Sequence, residues 1–124
     1  MVAAVLESQN VVGQFPLLGD EIGAAEFNAR RDSGQVFQLI DVREPHEYDI
    51  THIGGSKLIP LGQVIARVAE IDASRPAVMI CKVGGRSAKA IITLRQAGFA
   101  GHLINLKGGI IELARNNYAG VKSY

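Results

Sequence analysis

Cys81 is the only cysteine among 124 residues, and its neighbours decide what chemistry it could do. An apolar run leads into Cys81; then come Lys82-Val83-Gly84-Gly85-Arg86 and a helix-forming stretch that opens at Ser87. A cysteine without such a setting reads as a small buried hydrophobe, since free cysteine is among the most buried residue types. Here two glycines let the backbone bend tightly enough for successive N–H groups to point inward as an anion-binding nest. The following helix adds the unpaired amides and the positive dipole end of its first turn. Lys82 and Arg86 bring formal positive charge within a few residues. Each feature favours thiolate over thiol, and the thiolate is the nucleophile. One thiol cannot close an intramolecular disulfide or build a structural zinc site. His46, His52 and His102 lie far apart with no metal-ligand spacing, so no metal site is expected.

The elements that must position this loop alternate along the chain. Residues 1–19 lack sustained periodicity and read as a lead or linker, with a short edge strand near Phe15-Pro16-Leu17. A domain is expected over 20–118, followed by a short tail over 119–124. Ala24 to Arg30 are good helix formers and Gly34 supplies a stop. Val36 to Asp41 is a short apolar run that fits a buried strand, ended by Glu44-Pro45, with one helical turn over Glu47 to Ile50. Gly54-Gly55 permits a turn into a strand at Lys57-Leu58-Ile59. Val64, Ile65, Val68 and Ile71 have helical spacing and predict a helix from Gly62 to Ile71. Ala77 to Cys81 is the most hydrophobic strand candidate. A helix is expected over Ser87–Ala97 with Gly98 as its cap, then a strand over Gly101–Leu106, and a last helix from Gly108-Gly109 to about Arg115. The alternation predicts an α/β fold, a central parallel β-sheet with helices on both faces. Ligands of such sheets bind beyond the carboxyl ends of the strands, where Asp41, Cys81 and Asn105 stand.

Composition narrows the classes. The chain is long enough for one ordinary domain, and 48% hydrophobic with 20% charged residues suits a globular core. A net charge of +1 gives no electrostatic footprint for a nucleic-acid binder. No apolar run approaches the length of a membrane span, and Glu7 interrupts the N-terminal apolar residues early, with no basic segment before them. A cytoplasmic protein is expected, with neither nucleic acid nor membrane as partner.

Four segments then carry a resemblance. Asp41-Val42-Arg43-Glu44-Pro45-His46-Glu47-Tyr48, His52-Ile53-Gly54-Gly55 with Ile59-Pro60-Leu61, Cys81 to Arg86, and Leu106-Lys107-Gly108-Gly109-Ile110 stand in the order in which the rhodanese family carries its motifs. With the elements around them they cover about residues 20–115, and an ordered set is far more specific than a lone cysteine-x4-arginine match. The chain departs from that pattern at Thr51, where glycine is common, at Gly54, where proline is, and at Leu113, where tryptophan often stands.

The resemblance implies a rhodanese-like sulfurtransferase. Cys81 would attack the outer sulfur of a donor such as thiosulfate, hold it as a persulfide and pass it to a nucleophile, with ping-pong kinetics. The loop Lys82, Val83, Gly84, Gly85 and Arg86 would bind the donor, its amides holding the anionic outer sulfur as preorganised donors hold an oxyanion. Lys82 would attract a negative donor, and Arg86 would attract the substrate anion and brace the loop. Asp41, Arg43 and Ser87 are expected to support the loop. His52 is expected in a structural hydrogen bond, because buried imidazoles are usually satisfied locally. Gly108-Gly109 reads as a turn, since no Lys-Ser/Thr follows to make a nucleotide cradle. No cofactor is required.

Two rivals differ in class. A Cdc25-like phosphatase shares the fold but uses five residues between cysteine and arginine, and the four here suit a single sulfur atom better than phosphate. A passive sulfur relay or interaction module would need the same persulfide without turnover. The loop and the ending Ser123-Tyr124 are also similar to the C-terminal rhodanese domain of molybdopterin-synthase or thiamine-type adenylyltransferases. That similarity implies a ubiquitin-like sulfur-carrier protein or a cysteine desulfurase as partner.

Overall fold

A computed structural model describes residues 20–35, 37–118 and 120–124. The strand expected near Phe15 lies outside the described residues. Five parallel strands, β1 (Glu21–Ile22), β2 (Gln38–Asp41), β3 (Lys57–Leu58), β4 (Ala77–Ile80) and β5 (Leu103–Leu106), form one sheet in the order β1-β5-β4-β2-β3. Side chains alternate across a strand. Leu39, Val78, Ile80, Ile104 and Leu106 therefore enter one core layer, while Ile40, Ala77, Met79 and Leu103 enter the other. Both faces are buried, which is why β2 and β4 read as unbroken apolar runs.

The first layer is covered by α1 (Ala24–Asp32) and α4 (Gly109–Arg115) through Phe27, Ile110 and Leu113. The second is covered by α3 (Gly85–Gln96) through Ala90, Ile91 and Leu94. The period of two carries on one residue past β4 and places Cys81 on the α3 face. This is the expected α/β architecture with helices on both faces. Among the described residues no helix is long and apolar enough to cross a membrane.

Two boundaries differ from the sequence reading in ways that matter. Only Gly84 of the glycine pair turns the chain, with φ +105°, and Gly85 already begins α3, two residues earlier than expected. Arg86 and Ser87 thus lie in the helix's first turn. The helix expected from Gly62 to Ile71 is instead two 3₁₀ turns, Leu61–Gln63 and Val68–Glu70. Both ends of this span are pinned. Leu61 N–H donates to the Val42 carbonyl (3.0 Å), and Asp72 N–H donates to the Gln38 side chain (2.6 Å). The 3₁₀ turns rise about 2.0 Å per residue against about 1.5 Å in an α-helix, so the span is more extended than the helix expected there. Val64 and Ile71 reach the core and Val68 packs against it half-buried, while Ile65 stays exposed.

Between β2 and β3 lies α2 (Pro45–Ile50), longer than the one turn expected. Pro45 sits in its first turn, and Glu44 and Glu47 form a reciprocal capping box, with Glu44 N–H donating to Glu47 Oε1 at 3.0 Å. The turn before α2 is held by a fully buried ion pair. Arg43 donates to both Asp41 oxygens (Nη2 to Oδ2 2.7 Å, Nε to Oδ1 2.9 Å) and to the carbonyls of Thr51 (2.7 Å) and Glu47 (3.3 Å).

Removing one partner of such a pair leaves an uncompensated buried charge, whereas replacing both removes the cost. Arg43→Met should lower the unfolding free energy in urea by about 3–5 kcal/mol. The double variant Asp41→Asn/Arg43→Met should recover part of the loss. A single-variant loss below about 1 kcal/mol would match a surface ion pair and contradict this account.

Candidate functional site

Cys81 follows β4 directly, on the α3 face, and is 1% exposed at the floor of the loop 82–86. Burial alone would fit an inert thiol, but polar donors reach the sulfur. Gly84 N–H points at Sγ at 3.0 Å, and Ser87 Oγ lies 3.3 Å from it. Ser87 has one hydroxyl proton and a closer acceptor, Asn105 Oδ1 at 2.5 Å. The Gly84 carbonyl lies 3.3 Å away as well, so one proton has three acceptors within reach, and a negative charge on the sulfur strengthens the sulfur's claim on it. The first helical bond at the start of α3 runs from Ala88 N–H to Gly84 O (3.3 Å), which leaves the first-turn amides of Gly85, Arg86 and Ser87 without helical partners. These amides and the α3 dipole make the loop a place for an anion. Val83 is 63% exposed, so it serves the site through its backbone.

Outward anchors set the direction of the loop amides. The Cys81 carbonyl accepts from Ile110 N–H (3.0 Å) and the Lys82 carbonyl from Ile111 N–H (3.1 Å). In a trans peptide the next N–H points opposite to the carbonyl, so the Lys82 and Val83 amides are turned away from α4. Asn105 Nδ2 does the same for Gly84, donating to its carbonyl at 3.1 Å and sending the Gly85 amide the other way. The approach is close: a Cβ on Gly109 (φ +62°) would fall 2.5 Å from the Cys81 carbonyl oxygen. Gly108-Gly109 is a turn, as expected, and also the seat of the loop. Sequence alone did not single out that second role. Asn105 was noticed only as a strand-end residue; a buried amide one strand away from the cysteine was the available signal.

Arg86 is engaged rather than free. Its guanidinium meets Glu47 through two parallel bonds, Nη1 to Oε1 at 2.7 Å and Nη2 to Oε2 at 2.9 Å. This is loop bracing, with the charge that was expected to draw a substrate anion already answered by a carboxylate. Arg86 holds the Glu47 carboxyl down to about 2 from an ordinary 4.5, against its own burial and helped by the Glu44 amide. Glu47 belongs to the Asp41–Tyr48 motif, but no local pattern tells that its partner lies 39 residues on.

Among the described residues no ion pair involves Lys82. Its ammonium instead stands 4.7 Å from the ring centroid of Tyr124. Asp41 and Arg43 form the buried brace beneath α2 and do not touch the sulfur. His52 is exposed, not buried, yet it is structurally occupied: Nδ1–H donates to the Tyr48 carbonyl (2.8 Å) and the ring stacks on Tyr48. Residues 120–124 return to this side of the molecule, Lys122 N–H donating to Thr51 Oγ1 at 3.1 Å. Thr51, a departure from the family pattern, is thus where the last residues attach.

The rhodanese-like domain model aligns with residues 23–116. The chain belongs to the rhodanese-like family. It is 40% identical over 99 residues to the probable adenylyltransferase/sulfurtransferase MoeZ of Mycobacterium tuberculosis, a match covering 78% of this chain and 25% of MoeZ. The rhodanese-like chain thus spans about a quarter of that relative's length. A sulfurtransferase of Allochromatium vinosum is 33% identical over 97 residues, covering 78% of this chain and 90% of its own. A crystal structure of a rhodanese-like domain protein from Staphylococcus aureus superposes with a TM-score of 0.73 over 85% of this chain and 98% of its own, at 22% identity, which is agreement in fold.

The Glu47–Arg86 clamp has a pH signature. A carboxyl depressed in the folded state stabilises it above the ordinary value, and that stabilisation is lost as pH falls from about 4.5 toward 2. With the Arg86 side chain 37% exposed, solvent screening reduces the contribution to about 1–2 kcal/mol. Urea unfolding should show Glu47→Gln less stable than the wild type at pH 7 and the gap closing by pH 2.5. A gap constant across that range would contradict the clamp.

Proposed function

We propose that this rhodanese-like domain transfers sulfane sulfur through a persulfide on Cys81. The observation that carries the reading is the Gly84 N–H directed at the Cys81 sulfur, at the mouth of a loop whose carbonyls are tied outward. A thiolate there attacks the outer sulfur of an anionic donor. With thiosulfate the S–S bond of the donor breaks, sulfite leaves with the electron pair, and Cys81 gains one sulfur as an anionic persulfide. A nucleophile such as cyanide then attacks that outer sulfur, leaves as thiocyanate and returns the thiolate. Proton transfer is not needed in either half, which agrees with a site whose polar groups are donors rather than bases.

The roles follow the geometry. Amides of Val83 to Arg86 and the Ser87 hydroxyl hold the charge on the outer sulfur, Lys82 draws the donor, and Glu47–Arg86 with Asp41–Arg43 keep the loop in shape. A Cdc25-like phosphatase would need its arginine on the phosphate, and here Glu47 already holds it. The physiological donor and acceptor belong to this proposal too: a cysteine desulfurase persulfide as source, and a ubiquitin-like sulfur-carrier protein as acceptor.

Intact-mass measurement after thiosulfate treatment should show a gain of one sulfur atom, removed by cyanide, and no gain in Cys81→Ser. Steady-state thiocyanate formation with ping-pong kinetics supports an enzyme, and one persulfide per chain with little turnover makes it a relay. Release of phosphate from an aryl phosphate without sulfur gain would overturn the reading.

A further inference from the structure

The donor-attracting charge of the loop does not stand alone. Lys82 lies 4.7 Å from the centroid of the Tyr124 ring, and the buried Arg43 guanidinium lies 5.3 Å from the same centroid. The Tyr124 hydroxyl donates to Glu47 Oε2 at 2.9 Å, the oxygen that also takes Arg86 Nη2. One side chain, from a segment held at Thr51 and packed on the first core layer, therefore touches both sides of the site: its uncompensated cation and its carboxylate clamp. An aromatic face attracts an ammonium without neutralising it, unlike a carboxylate. A lysine stem has four rotatable carbons and would otherwise spread its charge over a wide volume. Burial of the Tyr124 hydroxyl raises its pKa above the ordinary 10, so the ring stays neutral throughout the working range.

We infer that Tyr124 is a positioning residue for anion recognition, its ring fixing the Lys82 ammonium beside the mouth of the Cys81 loop while its hydroxyl steadies Glu47. The inference rests on the sulfurtransferase reading for its substrate, yet the charge selectivity it describes is a property of Cys81's surroundings whatever the reaction. The tail segment is then part of the site and sets preference for anionic over neutral or cationic thiol-reactive partners.

The test uses the full chain and two readouts. The first is the rate at which Cys81 reacts with two methanethiosulfonates of similar size, one carrying a sulfonate and one a trimethylammonium group; their ratio cancels general accessibility. Tyr124→Leu should lower the sulfonate-to-ammonium ratio about three- to fivefold, as expected for loss of one exposed cation–π contact. Tyr124→Phe should hold it within about twofold, because the ring remains. In a Lys82→Met background Tyr124→Leu should change the ratio no further. Should Tyr124→Leu fold poorly, a ring-fluorinated phenylalanine at 124 weakens the ring's negative face without changing its shape, and the ratio should fall from the phenylalanine value. The second readout is KM for thiosulfate, which should rise in Tyr124→Leu with kcat and KM for cyanide little changed. Equal effects on both reagents, or an undiminished effect without Lys82, overturn the inference. A wild type that forms no persulfide overturns the sulfurtransferase reading instead, and the reagent ratio still decides the role of Tyr124.

Discussion

The Cys81 and Lys82 carbonyls are turned onto the amides of Ile110 and Ile111, and the rest of the site depends on that orientation. Peptide planarity converts an anchored carbonyl into an aimed N–H. A loop with free carbonyls would sample both orientations, and half of its amides would face solvent. Here two backbone bonds to α4 and one side-chain bond from Asn105 fix the peptides after Cys81, Lys82 and Gly84, and between them the Val83–Gly84 peptide is held by its own N–H on the Cys81 sulfur. The distance of approach explains the chemistry of the seat. Only a residue without a Cβ fits at 109, and only a residue tolerant of φ +105° fits at 84. The surroundings of Cys81 are therefore built by a strand end, two helix starts and a neighbouring strand.

A second set of constraints is polar and buried. Arg43, fully enclosed, joins Asp41 at the end of β2 to the carbonyls of α2 and the residue after it. That fixes α2, which presents Glu47 to Arg86 across the site. Arg86 is the second residue of α3, so the same clamp sets where α3 starts. The chain of contacts from Asp41 to Arg43, Glu47 and Arg86 ties the ends of β2 and β4 together on the side opposite the Asn105–Ser87 link. Charge is balanced along this chain at each step, and among the described residues Lys82 is the cation of the loop that no carboxylate pairs. The guanidinium groups of Arg43 and Arg86 are committed to structure, which leaves the loop amides and the Lys82 ammonium as the groups available to an anion.

Much of this was legible in the sequence because it is local. Alternating elements, the buried strand at Ala77–Ile80, the glycine turn after Cys81 and the ordered family motifs all lie within short windows where propensity and pattern act directly. What was not legible is non-local. Glu47 finds Arg86 39 residues away, and Asn105 finds Ser87 across 18. Arg86 was expected to meet a substrate anion because its loop position suggests it, and the competing carboxylate came from another element. The span 61–71 failed for the same reason: its apolar spacing is helical, yet Val42 and Gln38 fix its ends. His52 kept its structural role while being exposed, because a carbonyl at the end of α2 and the Tyr48 ring were within reach.

The amide protons of the loop give the most direct view of whether they hold the outer sulfur. Nitrogen-edited proton spectra recorded before and after persulfide formation, with the extent of reaction followed by mass, would report each one. Downfield shifts at Val83, Gly84, Gly85 and Arg86 as the sulfur is gained are the result expected of amides donating to an anion. A complete gain of sulfur with those protons unmoved or shifted upfield would place the outer sulfur elsewhere and contradict the account.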